Sequence, residues 1–289
     1  FFILVSGILV VLVMGSKWWS FTLVGWVAAA WLVGNLLLDV LVRAAGSGDA
    51  QRPWFLQPKK IGEGRYLLFL LLMAGFLVSF NQIFMTLPEY IRDYVDTSDL
   101  IARLGPVAGW FTGIAQGMGF DTSNWSRAVL EHGQVKPEHL INLNAFGIIC
   151  FQVLISYLMR NTTPLVSIIA GVCVTIASFG LYLVGMTGWI VVSAILVFSL
   201  GEMMASPRSK EYAGRIAPPE KVGMYMGYFY WCVALGHLFG GLLSGLSYQY
   251  FGPKGINNPD VMWIIFAALA GTTAVSLVVY NRWVTPGSR

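Results

Sequence analysis

Apolar runs as long as a bilayer is thick recur along this chain, and they leave few ways for it to fold. Crossing about 30 Å of hydrocarbon takes about 20 residues of helix. Residues 1–15, 18–43, 66–95, 140–159, 164–186, 189–206, 222–248 and 260–281 approach or exceed that length with few charges. Only 11% of the 289 residues are charged and 56% are hydrophobic, where soluble domains carry about 25% charged residues. The solvent of this chain is lipid, and the fold class expected is an all-α integral membrane protein. The chain opens at Phe1 inside an apolar run, with neither initiator Met nor signal-peptide flanks. That start predicts a fragment cut within a helix.

Charge distribution orients the spans. With loop 44–65 in the cytoplasm, Lys17, Arg92, Arg103, Arg127, Lys136 and Lys254 fall outside, and the other twelve of the eighteen Lys and Arg fall inside. Cytoplasmic loops carry such an excess. This predicts a multi-pass protein of the cell (inner or plasma) membrane with a cytoplasmic C-terminus. The cations sit in loops beside spans, so the net charge of +4 predicts no nucleic-acid partner. Cys150, Cys173 and Cys232 each lie within a span without metal-ligand spacing, and read as buried small apolar residues. Asp39, four residues from Arg43, reads as a local helix-surface pair.

Two segments exceed simple connections. Residues 44–65 are polar and Gly/Pro-marked, a cytoplasmic linker between helices 1–43 and the six-span body 66–289. Residues 96–139 form a long outer loop, in which Leu100–Phe111 has the makings of a short amphipathic helix at the membrane interface. Its expected role is structural cover. A sequon pattern occurs at Asn124-Trp-Ser126.

The last six spans divide into 66–186 and 189–281, three helices each. An odd number per group inserts the second in the opposite sense, the plan of transporters built from inverted repeats with a midplane substrate site. The first helix of each group carries a polar midsection followed by Pro: Ser79-Phe-Asn-Gln82 then Pro88, and Gly201-Glu202 then Pro207. Glycines 223, 227, 236, 240, 241 and 245 give 222–248 small-xxx-small spacing, read first as static close packing.

Glu202 is the leading candidate residue. A carboxylate near the middle of an apolar span costs ~3 kcal/mol on insertion scales, so it belongs in a protein interior or a water-filled path. Asn81, Gln82 and Asn144 both donate and accept hydrogen bonds, which suits either a cavity wall or interhelical bonding. His237 lies deep in its span and reads as a neutral packing residue. Glu89, Arg92, Asp93 and Asp96 follow Pro88 and are expected to be mostly solvated. No nucleotide loop, metal motif or nucleophile elbow occurs, and polar residues within spans are single, so no enzyme, metal or cofactor is expected.

Several stretches resemble the major facilitator superfamily, and within it the proton-coupled oligopeptide transporters. Gly201-Glu-Met-Met-Ala-Ser-Pro207 with Ile216-Ala-Pro218 is similar to that family's Gly-Glu…Ser-Pro helix ending and Ala-Pro loop. Tyr225-Met-Gly227, Ala234-Leu-Gly236, Leu140-Ile-Asn-Leu-Asn144 and Phe80-Asn-Gln82 continue the match. Asn81 stands where the family has an acid, Ala145 where it has Pro, Phe229 where Trp is common, and His237 where it has Asn. The resemblance covers 66–281. It implies the C-terminal six-helix bundle of 3+3 inverted repeats, with the first two spans as an extra inserted helix pair and an N-terminal half of the same polypeptide as partner. It also implies proton-coupled transport of a small polar, peptide-like solute, with Glu202, Asn81, Gln82, Asn144, Ser206, Phe229, Tyr230 and His237 facing the substrate. The alternative is a transport-inactive sensor or assembly partner of the same fold.

Overall fold

The computed structural model describes residues 64–125 and 129–284. The first two expected spans, nearly all of the linker, the Asp39–Arg43 pair and Ser126 of the sequon lie outside the described residues. Among the described residues six helices are long and apolar enough to cross a membrane, one for each of the last six expected spans.

The first span, Gly64–Tyr94, runs in three pieces: α1 (Gly64–Phe80), α2 (Gln82–Met85) and α3 (Leu87–Tyr94). Pro88 has no N–H to offer the carbonyl four residues back, which favours an interruption near Thr86. After α4 (Ser98–Gly117) and a hairpin of β1 (Leu130–Glu131) and β2 (Gln134–Val135), the remaining spans are α5 (Pro137–Leu158), α6 (Pro164–Leu181), α7 (Gly188–Ile216), α8 (Val222–Phe251) and α9 (Pro259–Val284). His132 and Gly133 take φ of 50° and 76°, turning the hairpin.

Packing partners obey an exchange rule. α1 packs on α8 and α9, α7 on α5 and α6, and α6 on α9. Swapping the first, second and third spans for the fourth, fifth and sixth maps this set onto itself, as two repeats of three helices require.

Two features differ from the sequence expectation. The span expected at 189–206 does not end before Pro207. Arg208, Ser209 and Lys210 lower its hydropathy, but α7 continues through Pro207 to Ile216 because Ala205, Ser209 and Ala213 keep one face buried. Nor are all three cysteines buried. Cys232 is, but Cys150 and Cys173 lie exposed on the flanks of apolar helices, where a thiol behaves as a small apolar side chain.

An aromatic cluster fills the centre. Trp263 of α9 stacks on Tyr182 after α6, with centroids 4.1 Å apart, and receives the edge of Tyr90 from α3 at 5.1 Å. Phe179, Phe198 and Phe80 continue the cluster from α6 to α7 and α1. α5 and α8 are the peripheral helices: 17% and 22% of their most apolar windows are buried, against 50% for the first span, α6 and α7.

The root of α4 is tied to the start of α7. Asp96 N–H donates to Met186 and its carbonyl accepts from Gly188. The Asp99 carboxylate accepts from the backbone N–H groups of Gly188 at 3.2 Å and Trp189 at 3.1 Å, capping α7. The Ser98 backbone N–H, at 2.9 Å, holds the Asp96 carboxyl below the usual carboxylate range, helped by Gln134 at 3.2 Å.

Candidate functional site

Glu202 is placed by the helix beneath it. At Gly201, α7 meets α6 so closely that a Cβ would lie 2.7 Å from both the Gly171 carbonyl oxygen and Thr175 Oγ1. A Cβ at Gly171 would lie 2.6 Å from the Gly201 carbonyl oxygen. With Gly201 against α6, the next residue turns toward α5. There the amide of Asn144 donates to Glu202 Oε2 at 2.9 Å, and Ser199, one turn earlier on α7, donates to Asn144 Oδ1 at 3.3 Å. Asn144 and Ser199 are buried, while Glu202 is half-buried. Its Oε1 has no hydrogen bond among the described residues. The carboxylate is thus half-buried beside the polar Asn144 and Ser199 rather than sealed among apolar neighbours. One oxygen is oriented by a neighbouring span and the other can accept a bond.

The other expected site residues divide. Gln82 is fully buried and fully used: its Nε2 donates to Val78 at 2.8 Å and Gly240 at 3.0 Å, and its Oε1 accepts from Thr86 at 2.6 Å. Thr86 Oγ1 lies 2.8 Å from Ser244 Oγ. This polar tie joins the first span to α8, where Gly236 and Gly240 pack against Leu77, Val78 and Asn81. Those two glycines serve close packing, while Gly223, Gly227 and Gly245 face open space. Beside the tie, Asn81 is buried and its Nδ2 has no hydrogen-bond partner among the described residues, an amide able to donate. Ser206 is half-buried, its carbonyl accepting from Ser209 at 2.8 Å.

On α8, Phe229 is buried in the core, whereas Tyr230 is 54% exposed. His237 is exposed on the same helix face as Tyr230, with Nδ1 2.9 Å from the Val233 carbonyl oxygen. The expectation of a packing histidine is thereby corrected: the sequence placed it deep along the span, but its helical phase turns it outward. The structure thus brings Glu202 and Asn144 together, and holds Asn81 and Gln82 at the contact of the first span with α8.

Several participants were not visible in the sequence. Pro207 leaves the Met203 carbonyl without its helical donor, and Gln152 Nε2 of α5 reaches that oxygen at 3.4 Å while donating to Ser156 at 2.9 Å. At the other end of α8, an open crevice of about 940 Å³ is lined by Glu89, Arg92, Asp93, Ser244, Tyr248 and Lys254. Arg92 pairs with both Glu89 and Asp93, and the Tyr248 hydroxyl donates to Asp93. Glu202 does not line this crevice. Among the described residues no three His, Cys, Asp or Glu come together as a metal site.

With this geometry in hand, comparison with known proteins adds one finding. The chain is 24% identical over 165 residues to the uncharacterized MFS-type transporter YttB of Bacillus subtilis. The match takes in 54% of this chain and 39% of that protein, so this chain spans well under half of the relative's length. No protein-family model matches the chain. The similarity supports a transport protein of the major facilitator type. Together with six apolar helices it identifies a multi-pass membrane protein.

Proposed function

We propose that this chain takes part in secondary-active, proton-coupled transport of a small polar solute, a peptide-like one favoured, and that Glu202 is the group meeting both solute and proton. The observation that carries the reading is the Asn144–Glu202 hydrogen bond between two spans, with one carboxylate oxygen left open. Asn144 fixes the carboxyl's orientation, and the open oxygen offers an acceptor to an ammonium or amide N–H. Protonation removes the negative charge that would hold an ammonium group, so proton and cationic solute compete for one oxygen. Competition of this kind links the protonation state of Glu202 to release of the solute.

The similarity to a longer transporter supports a second bundle from the same polypeptide. The little-buried flanks of α5 and α8, carrying Tyr230 and His237, suit contact with it. Transport would follow from rocking of one bundle against the other around the midplane. The excess of Lys and Arg in one set of loops supports a cytoplasmic C-terminus.

The test uses full-length protein in proteoliposomes with an imposed proton gradient and a labelled dipeptide. Glu202→Gln is expected to abolish accumulation while leaving expression and monodispersity intact. Asn144→Leu is expected to weaken accumulation without abolishing it. Accumulation by Glu202→Gln at the wild-type rate refutes the assignment.

A further inference from the structure

We infer that α4 is a membrane-surface arm, lying in the lipid interface on the side where α7 begins, with one face immersed in acyl chains. The observation is a continuous apolar stripe. Leu100, Leu104, Val107, Phe111, Ile114 and Met118 recur at three- and four-residue spacing and so share one side of the helix. Leu100 is buried where α4 meets the first turn of α7, while Leu104, Val107, Phe111, Ile114 and Met118 are 41–66% exposed. Trp110, in edge contact with Phe111 at 5.0 Å, and the following Phe120 and Trp125 broaden the surface. The opposite side carries Gly105, Gly109, Thr112, Gly113 and Gln116, small or polar throughout.

The expected role of this loop as structural cover is not what the helix does. Beyond its root its body is exposed on nearly every side, and a contiguous patch of this size facing water would be a liability. Lipid is the occupant that the attachment favours. Asp99 and the Asp96–Gly188 bonds fix the root of α4 at the first turn of a membrane span, beside the half-exposed ring of Trp189. Trp at that position marks the headgroup level. The stripe is therefore continuous with the lipid-facing surface of the bundle. Helices that combine an apolar Trp/Phe/Leu face with a polar face lie in that plane, although most carry more cations than the single Arg103 here.

Nitroxide scanning of positions 107–114 tests this, in full-length protein with its own cysteines replaced and reconstituted into phosphatidylcholine–phosphatidylglycerol nanodiscs. Collisional relaxation is read with oxygen, which partitions into lipid, and with a nickel chelate, which stays in water. Expected are oxygen maxima at 107, 111 and 114 and nickel maxima at 109, 112 and 113. The doubly charged variant Phe111→Asp with Ile114→Asp is expected to lose the oxygen preference at 107. High nickel access at every position overturns the proposal, because α4 then stands in water. Low access to both reagents, or dipolar broadening that vanishes on dilution with unlabelled protein, also overturns it, because protein then covers the stripe.

Discussion

Gly201 offers the sharpest test of how the candidate site is held. In Gly201→Ala the new Cβ starts 2.7 Å from the Gly171 carbonyl oxygen and 3.1 Å from the Thr175 backbone nitrogen. Heavy atoms in comfortable contact sit about 3.5 Å apart, so the axes of α6 and α7 must separate by roughly 0.8 Å. Because backbone atoms form the obstruction, a rotamer change does not relieve it. Overpacking of this kind costs about 1–3 kcal/mol. The control is Gly227→Ala on α8, where nothing lies within 4 Å of the added carbon. There the substitution removes a helix penalty of about 0.8–1 kcal/mol and is expected to stabilise. Reversible unfolding in mixed micelles is the assay: Gly201→Ala should move the midpoint down and Gly227→Ala up. Equal midpoints for Gly201→Ala and wild type would refute the close crossing as the feature that positions Glu202.

Further expectations follow from other contacts. Gln152→Leu should cost about 0.5–1.5 kcal/mol, the net worth of a hydrogen bond. Part of that cost should vanish in a Pro207→Ala background, where residue 207 regains an N–H for the Met203 carbonyl; an unchanged cost in the double-mutant cycle removes Gln152 from that role. Thr86→Val strands the Gln82 Oε1 acceptor in a buried position and should cost about 1–3 kcal/mol, visible as an earlier thermal transition in detergent. The Asp96 contribution to anchoring the α4 root should be fully present above the ordinary carboxylate range and lost as pH falls through its lowered value. The exchange protection of the Ser98 amide, corrected for the intrinsic pH dependence of exchange, reads this directly as pH is lowered, and Asp96→Asn should remove the pH dependence of that protection.

The spans were legible because hydrocarbon imposes a length and a composition that few other environments do. Glu202 was legible for a related reason, as a lone charge in an apolar run. Its partnership with Asn144 was not, since 58 residues separate them and only the α5–α7 packing brings them together. Gln82 shows the limit of reading polar residues by position. A buried amide in a span looks the same in sequence whether it faces a cavity or ties two helices, and here three bonds to Val78, Gly240 and Thr86, with a fourth from Thr86 to Ser244, form the tie. The end of α7 was missed because hydropathy falls at Arg208 while helical packing does not. His237 was misread because depth along a span says nothing about which way the helix turns a residue.

The exchange rule among packing partners has a mechanical consequence. Two polar links, Gln82–Thr86–Ser244 on one side and Asn144–Glu202 on the other, each fasten a helix of one repeat to a helix of its counterpart. The two repeats are stitched crosswise and cannot part along their own boundary. Any large displacement must carry all six helices as one slab, with local flexing confined to the interruptions at Asn81 and Thr86 and to the Pro207 turn.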